Sequence, residues 1–202
     1  TADEDDADPD WGWARKEIAG LIEDGLVGEV GLLPHHVRGR VWGILSALAN
    51  DPDPTPDHER RYGGENMDVM TLSINSLRGV AMHAVVKYAL WIRRHLERQE
   101  DKTPLGHGFD EMPGVRQILE DHLDPERDPS VAVRAVYGEW VPWLFLLDPN
   151  WTRMHLADIF PRAVELHEFR LAAWGTYLLY SRVFNDTLSL LHDEYAFAID
   201  RL

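Results

Sequence analysis

The stretch TLSINSLRGVAMHAVVKYALWIRRHLERQ, residues 71–99, decides the fold. Leu77, Val80, Ala81, Ala84, Val85, Tyr88 and Ile92 recur at i, i+3, i+4 without a break, the spacing of one helix face and not of a strand. Thr71 or Ser73 is placed to cap such a helix, whose first N–H groups need a side-chain oxygen. About 26 residues at 1.5 Å each predict a rod of roughly 39 Å, long for a globular protein. Gly79 inside it costs about 1 kcal/mol relative to Ala. That cost predicts a second backbone passing close to it.

Towards the N-terminus, NDPDPTPDH, residues 50–58, places three prolines at alternate positions and predicts an extended linker within a loop over about 50–70. Two helices precede it. One carries Ala14, Ile18, Leu21 and Ile22; the other starts at Pro34 and carries Val37, Val41, Ile44, Leu45 and Leu48. The first ten residues hold six acids, no base and no large apolar side chain, so residues 1–10 are expected to be a disordered acidic tail.

Towards the C-terminus, KTPLGHGFDEMPG predicts a second loop over about 101–114, followed by a short helix through Val115, Ile118 and Leu119. In DPERDPSVAVRAV, residues 124–136, Asp128 reads as an N-cap worth about 1 kcal/mol, with Pro129 in the first turn of a helix through Val133, Val136, Tyr137, Trp140, Val141 and Leu144. Pro142 is expected to kink or split that helix. Further helices are predicted near 150–159, through Val164, His167, Leu171, Trp174 and Leu178, and through Phe184, Leu188, Leu191, Tyr195 and Leu202. No segment alternates as a strand would. The reading is one all-α domain over residues 11–202.

Trp42, Trp91 and Trp140 are spaced evenly, 49 residues apart, near the period of HEAT and armadillo helix pairs. The architecture expected is therefore a helical repeat (a HEAT/armadillo-like α-solenoid) or an irregular helical bundle. LSINSLRGVAMHAVVKYALW, DPSVAVRAVYGEW and RLAAWGTYLLYSRVFNDTLSLLHDEY together resemble the helical-repeat region of very long bacterial proteins, some with NTPase modules and linked to phage defence. The resemblance covers most of the chain from about Asp51 onward. It implies a scaffold and a defence setting, and brings no catalytic residues with it.

Composition narrows the function. The 202 residues carry a net charge of −15, which repels phosphate backbones and makes a nucleic-acid partner unexpected. No apolar run approaches the ~18 residues of a membrane span, and no signal peptide opens the chain. Cysteine is absent, which removes disulfides and thiolate metal sites and fits a reducing, cytoplasmic compartment. With no initiating Met and an end that still reads as helix, the chain is expected to be a piece of a larger protein.

No phosphate-binding glycine loop and no nucleophile elbow occur. His192-Asp193 has the form of the pair used by metal-dependent phosphohydrolases, but that pair needs partners on other helices. His155 and Asp158 lie one turn apart, and His167 sits on the predicted apolar stripe, where a core histidine is expected. His35-His36 precedes Arg38 and Arg40 as solvated surface. Ser73, Asn75, Ser76 and Arg78 are expected to hold the preceding loop by side-chain to backbone bonds. Lys87, Trp91, Arg94 and Arg98 share one edge of the long helix, with Arg60 and Arg61 in the loop before it, a basic and aromatic strip suited to contacting a partner. No cofactor, no metal and no enzymatic activity are expected. The expected role is a protein-interaction or scaffold module contacting a protein partner or other domains of the same polypeptide. The alternatives are a metal-dependent phosphohydrolase-like helical enzyme using His192 and Asp193, or a helical domain that senses phosphate-bearing ligands or nucleic acid through the residue 87–98 strip.

Overall fold

The computed structural model describes residues 11–27, 33–63, 67–98 and 108–201. The predicted acidic tail and the start of the second predicted loop lie outside these residues. Among the described residues every regular element is helical, and the chain is all-α.

The chain runs α1 (Gly12–Val27), α2 (Arg38–Ala49), α3 (Pro56–Tyr62), α4 (Val69–Asn75), α5 (Leu77–Arg98), α6 (Pro113–Leu123), α7 (Val131–Leu147), α8 (Pro149–Met154), α9 (Leu156–Ile159), α10 (His167–Tyr180), α11 (Asn185–Leu190) and α12 (His192–Ile199). Short 3-10 turns lead into α2, α6 and α10. Helices α5 and α7 pack against each other in the middle. Helices α1, α2 and α4 lean on α5, and α10 covers α7. The core fills these seams with Leu45, Val85, Ala89, Val136, Leu144 and Tyr177.

The long rod of 71–99 is two helices. Asp68 caps α4 through Thr71 N–H (3.0 Å), and at Ser76 the chain turns by 87° into α5. Neither Thr71 nor Ser73 acts as the cap. The turn folds α4 back across α5, and a Cβ on Gly79 would run into the Ser73 carbonyl. The close backbone predicted from that glycine is therefore the preceding helix of the same chain.

The predicted 50–70 loop contains α3 and the start of α4, and the predicted 101–114 loop gives way to a 3-10 turn at Gly108 and to α6 at Pro113. Pro142 neither splits nor ends α7. It removes the N–H that would reach the Gly138 carbonyl, and Ser181 Oγ partly replaces it, donating to Glu139 O (2.6 Å) and approaching Gly138 O (3.4 Å). The helix predicted near 150–159 is broken at His155, and the one predicted through Phe184 to Leu202 is broken at Leu191. Trp91 is buried, Trp140 is half-buried against His83, and Trp42 rests on Gly114 and Tyr88, so the even spacing places the three indoles in unlike surroundings.

Candidate functional site

Segment 51–59 stitches two helix starts together. Asp53 accepts Leu77 N–H through Oδ2 (2.7 Å), and its own carbonyl accepts Arg78 N–H (2.8 Å), which satisfies the first turn of α5. Glu59 does the same for α7 from a distant helix. Its carboxylate accepts Ala132 N–H (3.1 Å), Val131 N–H (3.2 Å) and the Ser130 hydroxyl (2.5 Å). Negative charge at two helix N-termini is also favoured by the helix dipoles. The Arg78 guanidinium binds Asp51 O (2.8 Å), Pro54 O (3.1 Å) and Asp128 (3.0 Å), so Arg78 holds the loop as expected, whereas Ser73, Asn75 and Ser76 bond to carbonyls within α4 instead.

Asp128 is not the helix cap. Ser130 caps α7 through Val133 N–H (3.1 Å), and Asp128 is buried two residues earlier, bonded to His122 Nδ1 (2.6 Å) and Arg78. Burial alone would raise its carboxyl, but His122 and Arg78 pull it below the usual carboxylate range. A bulky, pre-organised ion-pair site displaced the cap because Asp128 faces inward, where a lone charge needs partners.

A second buried cluster has the outline of a hydrolytic triad. Ser73 Oγ lies 3.0 Å from His83 Nε2, and Glu139 lies 3.4 Å from His83 Nδ1. Its protons run the wrong way for a nucleophile. Trp140 Nε1–H, which can only donate, points at His83 Nδ1 (2.8 Å). The ring proton therefore sits on Nε2 and is donated to Ser73, whose own hydroxyl donates to Met70 O (2.7 Å). In a triad the serine donates to the histidine. Burial, with Lys87 adding, holds His83 down at about 3, so the ring stays neutral.

The other histidines fall apart as a set. His192 and Asp193 bond to each other at 3.0 Å on an exposed surface, and His155 bonds to Asp158 at 2.9 Å. His167 is exposed, because α10 buries the face of Arg170, Ala173, Trp174 and Tyr177 and turns Val164 and Leu171 to solvent. His35 is half-buried and stacks on His95 with ring centroids 3.5 Å apart. Among the described residues no group of three or more His, Asp or Glu side chains is placed to hold a metal ion.

The basic strip is divided between three environments. Trp91 turns into the seam beside His35 and Tyr88. Arg60 pairs with Asp57 on exposed α3, and Arg61 lies over the Tyr62 ring. The side chain of Arg98 lies outside the described residues. Lys87 and Arg94 remain together and line a groove of about 550 Å³ between the end of α1, α5 and α7. Its other described walls are Val27, Leu90, Trp140, Trp143 and Leu146, with Arg93 and the acidic Glu97.

The groove owes its shape to how α1 is tied down. Lys87 pairs with Glu23 and lies over the Trp140 ring (5.7 Å), and Arg94 donates to Leu26 O (2.6 Å) at the helix C-terminus. Arg93 bridges across to α7 by donating to Leu146 O, and pairs along its own helix with Glu97 (2.7 Å). These bonds hold three cations around an apolar floor on which Trp143 is 41% and Leu146 46% exposed. The volume lies within the ~300–1,000 Å³ of sites that seat a side chain or small ligand. Trp143 and Leu146 were missed in the sequence, where the apolar stripe of this helix runs through Val133, Val136, Tyr137, Trp140, Val141 and Leu144 and leaves both out.

No known protein family, no curated protein and no solved structure matches the chain. No single described helix is long and apolar enough to cross a membrane.

Proposed function

We propose that the chain is a non-catalytic helical interaction module, and that the groove between α1, α5 and α7 is where it receives a protein segment. One observation carries this reading. Trp143 and Leu146 stay open to solvent in a concave floor rimmed by Lys87, Arg93 and Arg94. Exposed aromatics in a pocket with guanidinium groups around them are the usual anchors of protein contacts. The segment such a site selects has an apolar anchor for the floor and carboxylates for the rim. The half-buried Asp53 and Glu59 and the buried Asp128 and His83 support the same reading, since all four are occupied in holding helices.

The test is selection from a displayed library of random peptides on the purified chain. Enrichment of sequences with an aromatic or branched residue beside Asp or Glu is expected, and Trp143→Ala should remove it. Peptides that bind the variant as well as the parent would overturn the reading.

A further inference from the structure

We propose that the occupant of the groove is the Trp11 end of a second copy of this chain, giving head-to-tail association. The proposal rests on the interaction reading above and names its partner.

The two surfaces lie at opposite ends of α1. That helix runs parallel to α5, with Lys16 Nζ reaching Asn75 (3.5 Å) near the start of α5 and Leu26 O receiving Arg94 towards its end. Val27, at the end of α1, lines the groove. Trp11, at its beginning, is 73% exposed. Its backbone φ of 60° lies in the left-handed region that a bulky residue rarely adopts, and Arg15 N–H bonds back to its carbonyl at 2.9 Å. A large indole is thus presented outward from a fixed backbone at the tip of a helix.

The chemistry on either side of that indole matches the groove. Six acids lie within the ten residues immediately before Trp11. The groove offers an apolar floor of Trp140, Trp143 and Leu146 with a cationic rim. Glu23 and Glu97 offset Lys87 and Arg93, whereas among the described residues Arg94 is paired with a carbonyl and with no carboxylate. An aromatic anchor preceded by carboxylates is the segment this site selects, and the sequence carries one.

The Trp11 indole of the same chain cannot reach its own groove. Fifteen residues of helix separate Trp11 from Leu26, about 22 Å along the axis. The residues before Trp11 can reach back that far, at up to ~3.5 Å each, but the largest apolar side chain among the non-proline residues of 1–10 is alanine, which cannot fill an aromatic floor. A Trp11 indole seated in the groove therefore comes from a second molecule. Because the two patches are different, the contact is heterologous and repeats from copy to copy unless a ring closes it. Salt is expected to weaken it, since part of the attraction is between exposed charges.

Sedimentation velocity over a range of protein concentration tests this on the full chain. The weight-average mass is expected to rise with concentration and to fall with added salt. Trp11→Ala and Trp143→Ala should each weaken association by about tenfold or more, the loss typical of removing an aromatic anchor, with circular dichroism unchanged. Mixing the two variants discriminates further. One keeps a groove and the other keeps an indole, so together they should form a heterodimer that grows no larger. A chain monomeric at every concentration overturns the proposal, as does association that survives both substitutions or a mixture that stays monomeric. If selected peptides still bind the groove in that case, the interaction reading stands and only the second-copy occupant fails. If they do not, both fall.

Discussion

Asp128 keeps a charge inside the protein because three donors meet it: Arg78 (3.0 Å), His122 Nδ1 (2.6 Å) and Ser130 N–H (3.1 Å). An exposed cap replaced by Ala costs about 1 kcal/mol. Removing one partner of a buried pair leaves the other charge stranded and costs about 3–5 kcal/mol. Asp128→Ala should therefore lower the unfolding free energy by the larger amount in a denaturant titration, and a loss near the smaller one would show that Arg78 finds another partner. The local sequence, Asp-Pro-Ser before an apolar run, announces that a helix begins there and nothing more. Which residue caps it depends on whether Asp128 faces in or out, and that is set by Arg78, 50 positions away. Glu59 at the same helix start is less legible still, since its partners lie 71 to 73 positions on. Long-range carboxylate caps leave no trace in periodicity.

At the scale of an element, the helix over 77–92 was readable because its apolar residues recur at i, i+3, i+4, although the fold buries more than that face, with Met82, His83, Val86 and Trp91 buried as well. The break at Ser76 was not, because propensity on both sides favours helix and the 87° turn is set by what α4 packs on. Glycine gave the one local sign of it. Ala in place of Gly normally stabilises a helix interior by about 1 kcal/mol. At Gly79 the added methyl meets the Ser73 carbonyl and the Ser76 hydroxyl, so overpacking of about 1–3 kcal/mol should win. Gly43, inside α2, has nothing within 4 Å of the same methyl. Gly43→Ala should raise the melting temperature and Gly79→Ala lower it. If both rise, α4 is not held against α5. The groove was half legible for a related reason: Lys87 and Arg94 stand out by type on one helix, whereas Trp143 and Leu146 belong to the site only once α1 and α5 are placed beside α7.

For the whole molecule, His83 and Asp128 make stability depend on acid in the same direction. His83 titrates at about 3 in the fold because burial penalises its charged form, and near 6.5 when unfolded. Below the unfolded value the unfolded chain binds a proton that the folded chain refuses, so stability falls as pH falls, by up to about 1.4 kcal/mol per unit for this one group. The contribution is complete above the unfolded value and is lost through the window down to about 3. Asp128 acts at the lower end. Its folded carboxyl is pulled below the ordinary range, so its contribution is present above the unfolded value and disappears as pH drops through the folded one. Denaturant midpoints measured from neutral pH downward should decline steadily below about pH 6, well before the carboxylates titrate. His83→Gln should flatten the upper part of that decline while leaving the lower part, because Gln cannot take up a proton in either state. A decline that keeps its full slope in the variant would mean that His83 takes up its proton in the fold as readily as in the unfolded chain, and the neutral ring accepting from Trp140 would be overturned.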